Sequence, residues 1–249
     1  MASKINTLLQ NVPQGIVLLS SWLVKHGYSR DLQHRYIKSG WLESIGSGAL
    51  KRSGDKIDLS GAVYSLQAQA EKNVHIGGRT SLALQGFSHY LELYQKESIL
   101  FAPYGEQLPL WCSNTKWETN PILYNTNFLP PDLGLVMHTI KSYSIKISSP
   151  ERAMLECLYL VPKHFDIQEA WQIMEGLTSL RPANVQELLI NCNSVKVNRL
   201  FLYLAEKANH PWFKYLNPEI VNIGSGNRSV FPGGIYNSKY RITIPKSLA

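Results

Sequence analysis

Cysteine is scarce in this 249-residue chain. Its three cysteines, Cys112, Cys157 and Cys192, are widely spaced and odd in number, which indicates neither a disulfide framework nor a CxxC metal or redox pair. A reducing cytoplasm is the compartment that fits such usage. Long apolar runs are missing too: no stretch approaches the roughly 18 consecutive apolar residues of a spanning helix. The N-terminal MASKINTLLQNVPQG has no long apolar core and no cleavage site, so the expectation is a protein that is neither exported nor membrane-embedded. Seven histidines are dispersed without an HExxH motif or a Cys/His cluster at zinc spacing, which leaves metal catalysis unsupported. Internal repeats and low-complexity tracts are absent. Acidic charge is also in deficit, with 18 Asp and Glu against 25 Lys and Arg, a net charge of +7 and a pI near 9.2. That balance favours a polyanionic partner.

What is present is a soluble globular composition, 44% hydrophobic, able to bury one large core or two modest ones. The basic residues gather: Arg30, Arg35, Lys38, Lys51, Arg52 and Lys56 fall in one short span. Around them, Ser20 to Arg52 reads as a helix, a tight turn, a second helix and a glycine-punctuated hairpin, the order of a winged helix-turn-helix. Gly27 can end the first helix in the left-handed conformation, and Ser29 can cap the second. Leu32, Tyr36 and Ile37 share one side of that second helix. The other side carries Arg30, Asp31, His34, Arg35 and Lys38, with Gln33 at its margin. Those donors suit base edges and phosphates. Gly40 stops the helix, Trp41 and Leu42 begin a strand, and Ile45 to Ala49 supply the wing turn, with Lys51 and Arg52 placed to meet phosphates. Ordinary solvated surface charge is the competing interpretation of these residues, and a winged helix can also serve protein contacts alone.

Before this segment, Ile5, Leu8, Leu9 and Val12 form one helical face, and Ser20 or Ser21 is expected to cap the first helix of the pair. After it, Asp58 is expected to cap a helix bearing Leu59, Ala62, Val63, Leu66 and Ala70. A short strand, Val74 to Ile76, leads through Gly77-Gly78 into a helix from Thr80 to Gln85. Strands are expected at Ile99 to Tyr104, Leu108 to Ser113, Leu135 to Ile140 and Tyr143 to Ser148. Ser149-Pro150-Glu151-Arg152 is a strong helix start. Mostly helical sequence follows, with Asp166 and Asn184 as expected caps, before tail strands at Ile220 to Ile223 and Tyr240 to Ile244.

Enzymatic alternatives find little footing. Gly46-Ser47 with Asp55 and Asp58 is a poor match to a nucleotidyltransferase site, because neighbours on one face of a strand need a spacing of two positions. Gly224-Ser225-Gly226 lacks GxGxxG spacing. Cys157, among Met154, Leu155 and Leu158, reads as a small core residue rather than a nucleophile.

Three segments together resemble the AbiEi family, antitoxins and transcriptional regulators of type IV toxin–antitoxin (abortive infection) systems. They are SRDLQHRYIKSGWLESIGSGAL (Ser29 to Leu50), VHIGGRTSLALQGF (Val74 to Phe87) and ISSPERAMLECL (Ile147 to Leu158). Gly48-Ala49-Leu50 departs from the pattern, an aromatic being commoner in that wing strand. The resemblance implies a winged helix that binds repeats in double-stranded promoter DNA, repression of the protein's own operon, and a C-terminal domain that counteracts a nucleotidyltransferase toxin. It assigns DNA contact to Arg30, Gln33, His34, Arg35, Lys38, Ser47, Lys51 and Arg52. The expected architecture is α+β: a winged helix-turn-helix domain over residues 1–72, then a larger mixed α/β domain over 73–249. No catalysis, cofactor or metal is expected. The alternative is a ligand-responsive winged-helix regulator unrelated to a toxin.

Overall fold

The structure, a computed structural model, describes residues 3–87 and 97–249. The chain is α+β. Helix α1 (Lys4–Asn11) starts where the Ser3 hydroxyl accepts from the Asn6 N–H, and it buries Ile5 and Leu8. Then come β1 (Leu18–Leu19), α2 (Ser20–Lys25), α3 (Arg30–Lys38), β2 (Leu42–Gly46) and β3 (Ala49–Arg52). Gly27 turns the chain out of α2 at φ +84°, and the Ser29 hydroxyl caps α3 by accepting from the Leu32 N–H. Neither serine at the start of α2 caps it, because the cap position falls on Leu19. The Ser20 hydroxyl instead donates to Gln33 Oε1 at 2.7 Å. Strands β2 and β3 form an antiparallel hairpin closed at Gly48, and β1 adds to it in the order β1-β3-β2. Helix α4 (Leu59–Ala68) is capped as expected, Asp58 Oδ1 accepting from the Gly61 N–H at 2.9 Å, and it buries Leu59, Ala62, Val63 and Leu66. Ala70 lies beyond its end.

Next come β4 (His75–Ile76), α5 (Gly78–Leu84), β5 (Glu97–Ala102), α6 (Leu110–Asn114), β6 (Asn120–Asn125), β7 (Leu135–Ile140) and β8 (Tyr143–Ser148). Five of the strands make a mixed sheet in the order β6-β5-β4-β8-β7, with β4 antiparallel to β5 but parallel to β8, and β5 parallel to β6. The segment expected as a strand from Leu108 to Ser113 forms α6 instead. Pro109, at φ −60°, precedes the helix, which turns Trp111 and Cys112 inward. Strand β6 escaped the sequence because Pro121 lies within it. At the sheet edge the missing N–H costs no ladder bond.

The rest is a helical cluster of α7 (Pro150–Leu160), α8 (Ile167–Gly176), α9 (Pro182–Ile190) and α10 (Val195–Ala208), with a tail hairpin of β9 (Ile235–Asn237) and β10 (Ile242–Ile244). Helix α7 packs against α5, α8, α9 and α10. Ser149 and Asp166 cap α7 and α8. Asn184 caps nothing: α9 opens with Pro182 after a cap position at Arg181. Cys157 is fully buried in α7, and burial pushes its thiol well up, as suits a packing residue. The expected strand from Ile220 to Ile223 does not form, because its backbone carbonyls serve other partners. Asn222 O accepts from Asn198 Nδ2 at 3.0 Å and Ile223 O from Arg199 Nε at 2.6 Å.

Two compact units emerge, and each draws on several chain segments. One gathers Met1–Ile76, Tyr94–Asn125 and Met137–Ile147, the other Gly77–Leu93, Thr126–Val136 and Ser148–Ala249. A single cut after residue 72 therefore does not separate them. In the first unit, the core that holds Leu18, Leu23 and Leu66 runs on into Leu100, Trp111, Ile145 and Ile147.

Candidate nucleic-acid interface

Helix α3 is fixed from beneath. Tyr36 and Gln33 are buried, and Leu32 and Ile37 pack against the same core. Gln33 is 4% exposed. Its Nε2 donates to Tyr28 O at 2.8 Å and Ser20 O at 3.3 Å, while its Oε1 accepts from Ser20 Oγ. These bonds make Gln33 an anchor of α3, while it also lines the cleft beside Arg30 and His34. Both of its amide protons tie α3 to the Tyr28 and Ser20 carbonyls, and its carbonyl takes one bond from the Ser20 hydroxyl. Its position was legible: 33, 36 and 37 share one stripe of a 3.6-residue wheel.

Above this anchor, Arg30, His34, Arg35 and Lys38 are exposed. Asp31 sits in the first turn and Arg35 and Lys38 in the last, the order that complements the helix dipole. Beside α3 a cleft of about 540 Å³ is lined by Arg30, His34 and Ile37 from the helix and by Ser44, Gly46 and Ser47 from the hairpin. The structure thus brings Arg30, His34 and Ser47 to one concavity, with Gln33 in its floor. Arg35 and Lys38 stand outside it on the exposed side of the same helix.

The two hairpin cations have partners within the protein. Lys51 Nζ pairs with Glu43 Oε2 at 3.0 Å and donates to Asp55 O at 3.0 Å. The Lys51 hydrogen bond, ahead of other causes, holds the Glu43 carboxyl below its usual range. Arg52 Nη2 donates to Leu9 O at 2.5 Å and Val12 O at 3.3 Å, carbonyls at and just past the end of α1. Lys51 braces the hairpin, while Arg52 ties it to the end of α1, where carbonyls lack intrahelical partners and draw in a cation. Both side chains are thus engaged within the protein.

Sequence reasoning missed the support behind the hairpin. A Cβ on Gly46 would fall 2.9 Å from Trp111 Cβ, so the hairpin lies directly on α6. The two residues are 65 positions apart in sequence, and no local signal links them. Among the described residues no helix is long and apolar enough to cross a membrane.

The solved structures include a likeness, the crystal structure of the RV2827C protein from Mycobacterium tuberculosis, at a TM-score of 0.62 and 12% identity, covering 96% of this chain and 88% of that one. At that identity the likeness shows the fold alone. No curated protein matches. Two family models do: residues 1–93 match the N-terminal domain of the AbiEi antitoxin transcriptional regulators, and residues 95–245 match the transcriptional regulator, AbiEi antitoxin of type IV toxin–antitoxin systems. With those matches spanning nearly its whole length, the chain belongs to the AbiEi family of type IV antitoxin transcriptional regulators.

Proposed function

We propose that this chain binds double-stranded promoter DNA through α3 and the β2–β3 hairpin, working as a winged helix, and represses its own operon. We further infer that its C-terminal part counteracts a toxin of the nucleotidyltransferase class. Support comes from the exposed row Arg30, His34, Arg35 and Lys38, carried by a helix whose opposite side is locked by Gln33 and Tyr36, next to a cleft completed by Ser47. A rigid helix with cationic and hydrogen-bonding side chains facing out is what major-groove docking requires. Arg35 and Lys38 serve phosphates. Arg30 and His34, nearer the helix start and facing the cleft, serve bases.

The test is a gel-shift titration on promoter DNA at several salt concentrations. Arg35→Ala combined with Lys38→Ala is expected to weaken binding by about tenfold or more and to reduce the salt slope by roughly two. Unchanged affinity and slope would reject this face. The toxin half is tested by co-expression with a nucleotidyltransferase toxin from the same operon. Full-length protein should restore growth, and failure to do so would reject the antitoxin role.

A further inference from the structure

The C-terminal unit holds a second concavity, far from α3 in sequence. It measures about 430 Å³ and lies between the end of α7, the start of α10 and the strand-like segment around Arg228. Its walls carry Lys163, His164, Lys196 and Arg228, together with the hydroxyls of Ser194 and Ser229. Among the described residues no carboxylate lines it. Three cations, Lys163, Lys196 and Arg228, around one concavity without an acid in its lining is an unusual grouping, since like charges in proximity cost energy that a nearby carboxylate ordinarily offsets.

Each wall is held in place. Lys196 Nζ donates to Tyr159 O at 2.6 Å and to Val161 O, and it lies 5.5 Å from the Tyr159 ring centroid. Two of its three ammonium protons are so used, leaving one to point elsewhere. The Arg228 backbone is locked on both sides: its N–H donates to Arg241 O at 2.9 Å and its carbonyl accepts from the Thr243 N–H at 3.0 Å. Lys163 and Arg228 are exposed.

We propose that this cavity binds a small phosphate-bearing ligand, with Lys196, Arg228 and Lys163 as its charged contacts and Ser194 and Ser229 as hydroxyl donors. A dianionic tetrahedral group matches this set better than a carboxylate does. It offers enough acceptor oxygens for a guanidinium, ammonium groups and hydroxyls at once, and enough charge to offset several cations. The volume lies in the range of small-molecule pockets. The grouping of the cations around one concavity, in place of a stripe along the surface, favours a small ligand over a nucleic-acid backbone. The electrostatics agree. Burial first, and then the charge of Arg228, push the Lys196 ammonium down to about 8. A bound oxyanion would reverse the second of these and stabilise the charged form.

Isothermal titration of the full chain with inorganic phosphate, and separately with adenosine 5′-monophosphate, tests the site. Amide NMR shifts around residues 159–164 and 194–196 locate the binding. One saturable site is expected for at least one probe, with shifts confined to those segments. Arg228→Gln and Lys163→Gln, both exposed and outside any core, should each weaken it by about tenfold. Lys196→Met should abolish it, but that side chain is half-buried, so the two exposed variants carry the test. Arg35→Ala, on α3, should leave phosphate binding unchanged. Absence of saturable binding by both probes would overturn the proposal, as would equal binding in the Arg228→Gln, Lys163→Gln double variant. Duplex DNA that shifts the same amides while neither phosphate probe does would overturn it in favour of a backbone contact. None of these outcomes depends on promoter recognition by α3.

Discussion

Gln33 shows how one polar residue on a basic helix can work inward. Its amide spans the turn between α2 and α3, taking hydrogens to Tyr28 O and Ser20 O and receiving one from Ser20 Oγ. Gln33→Ala should orphan the Tyr28 carbonyl in a buried position, a loss of roughly 1–3 kcal/mol. The expected readout is a lower urea midpoint for Gln33→Ala than for His34→Ala, whose side chain is exposed. An unchanged midpoint coupled to altered sequence preference in DNA binding would put Gln33 on the recognition surface. At this scale the sequence was only half informative. Arg30, His34, Arg35 and Lys38 read correctly as outward-facing because helical spacing alone places them there. The partners of Lys51 and Arg52 were not legible, because Glu43, Leu9 and Val12 lie elsewhere in the chain. A count of charges carries no record of who answers them.

Among the elements, α7 was the most legible and carries the clearest load. Ser149, Pro150, Glu151 and Arg152 predicted its start through capping, φ restriction and the helix dipole, all local effects. What those residues do next is non-local. Arg152 Nε pairs with Glu156 Oε1 at 2.8 Å, and Glu156 Oε2 accepts from the Gly78 N–H at 2.8 Å and from Ser148 Oγ at 2.7 Å. Arg152 Nη1 also donates to Pro130 O at 2.8 Å. The Glu156 side chain is fully buried and that of Arg152 is 5% exposed. Glu156→Ala leaves the buried Arg152 charge without its carboxylate and two donors, the Gly78 N–H and the Ser148 hydroxyl, without their acceptor, so it should cost about 3–5 kcal/mol. Far-UV circular dichroism during urea unfolding would measure this, and a midpoint within error of wild type would show the network to be dispensable. Where the sequence failed on elements, proline was the cause in both directions. Pro109 preceded a helix that apolar content alone made look like a strand, and Pro121 hid a strand that tolerates it only because it lies at a sheet edge.

At the scale of the whole molecule, the order of segments along the chain and the order of packing diverge. A division after residue 72 looks natural in sequence because helical periodicity stops near Glu71-Lys72-Asn73. Yet the core beneath α3 includes Leu100, Ala102, Trp111, Cys112, Ile145 and Ile147, all from beyond that point. Long-range pairing such as that of β4 with β5 and β8 leaves no periodic trace at the boundary, which is why it could not be read. A fragment of residues 1–72 would forfeit the burial of those side chains. At roughly 1.5–3 kcal/mol for each large one, the sum rivals the 5–15 kcal/mol that typically holds a domain folded. The fragment is therefore expected to lose its cooperative thermal transition and to bind promoter DNA far more weakly than the full chain, although every exposed α3 residue is retained. Calorimetry and the same gel shift would measure both. A sharp transition near that of the full protein, with full DNA affinity, would mean that the N-terminal segment folds independently of the five-stranded sheet, and that the shared core is a contact of convenience rather than a requirement.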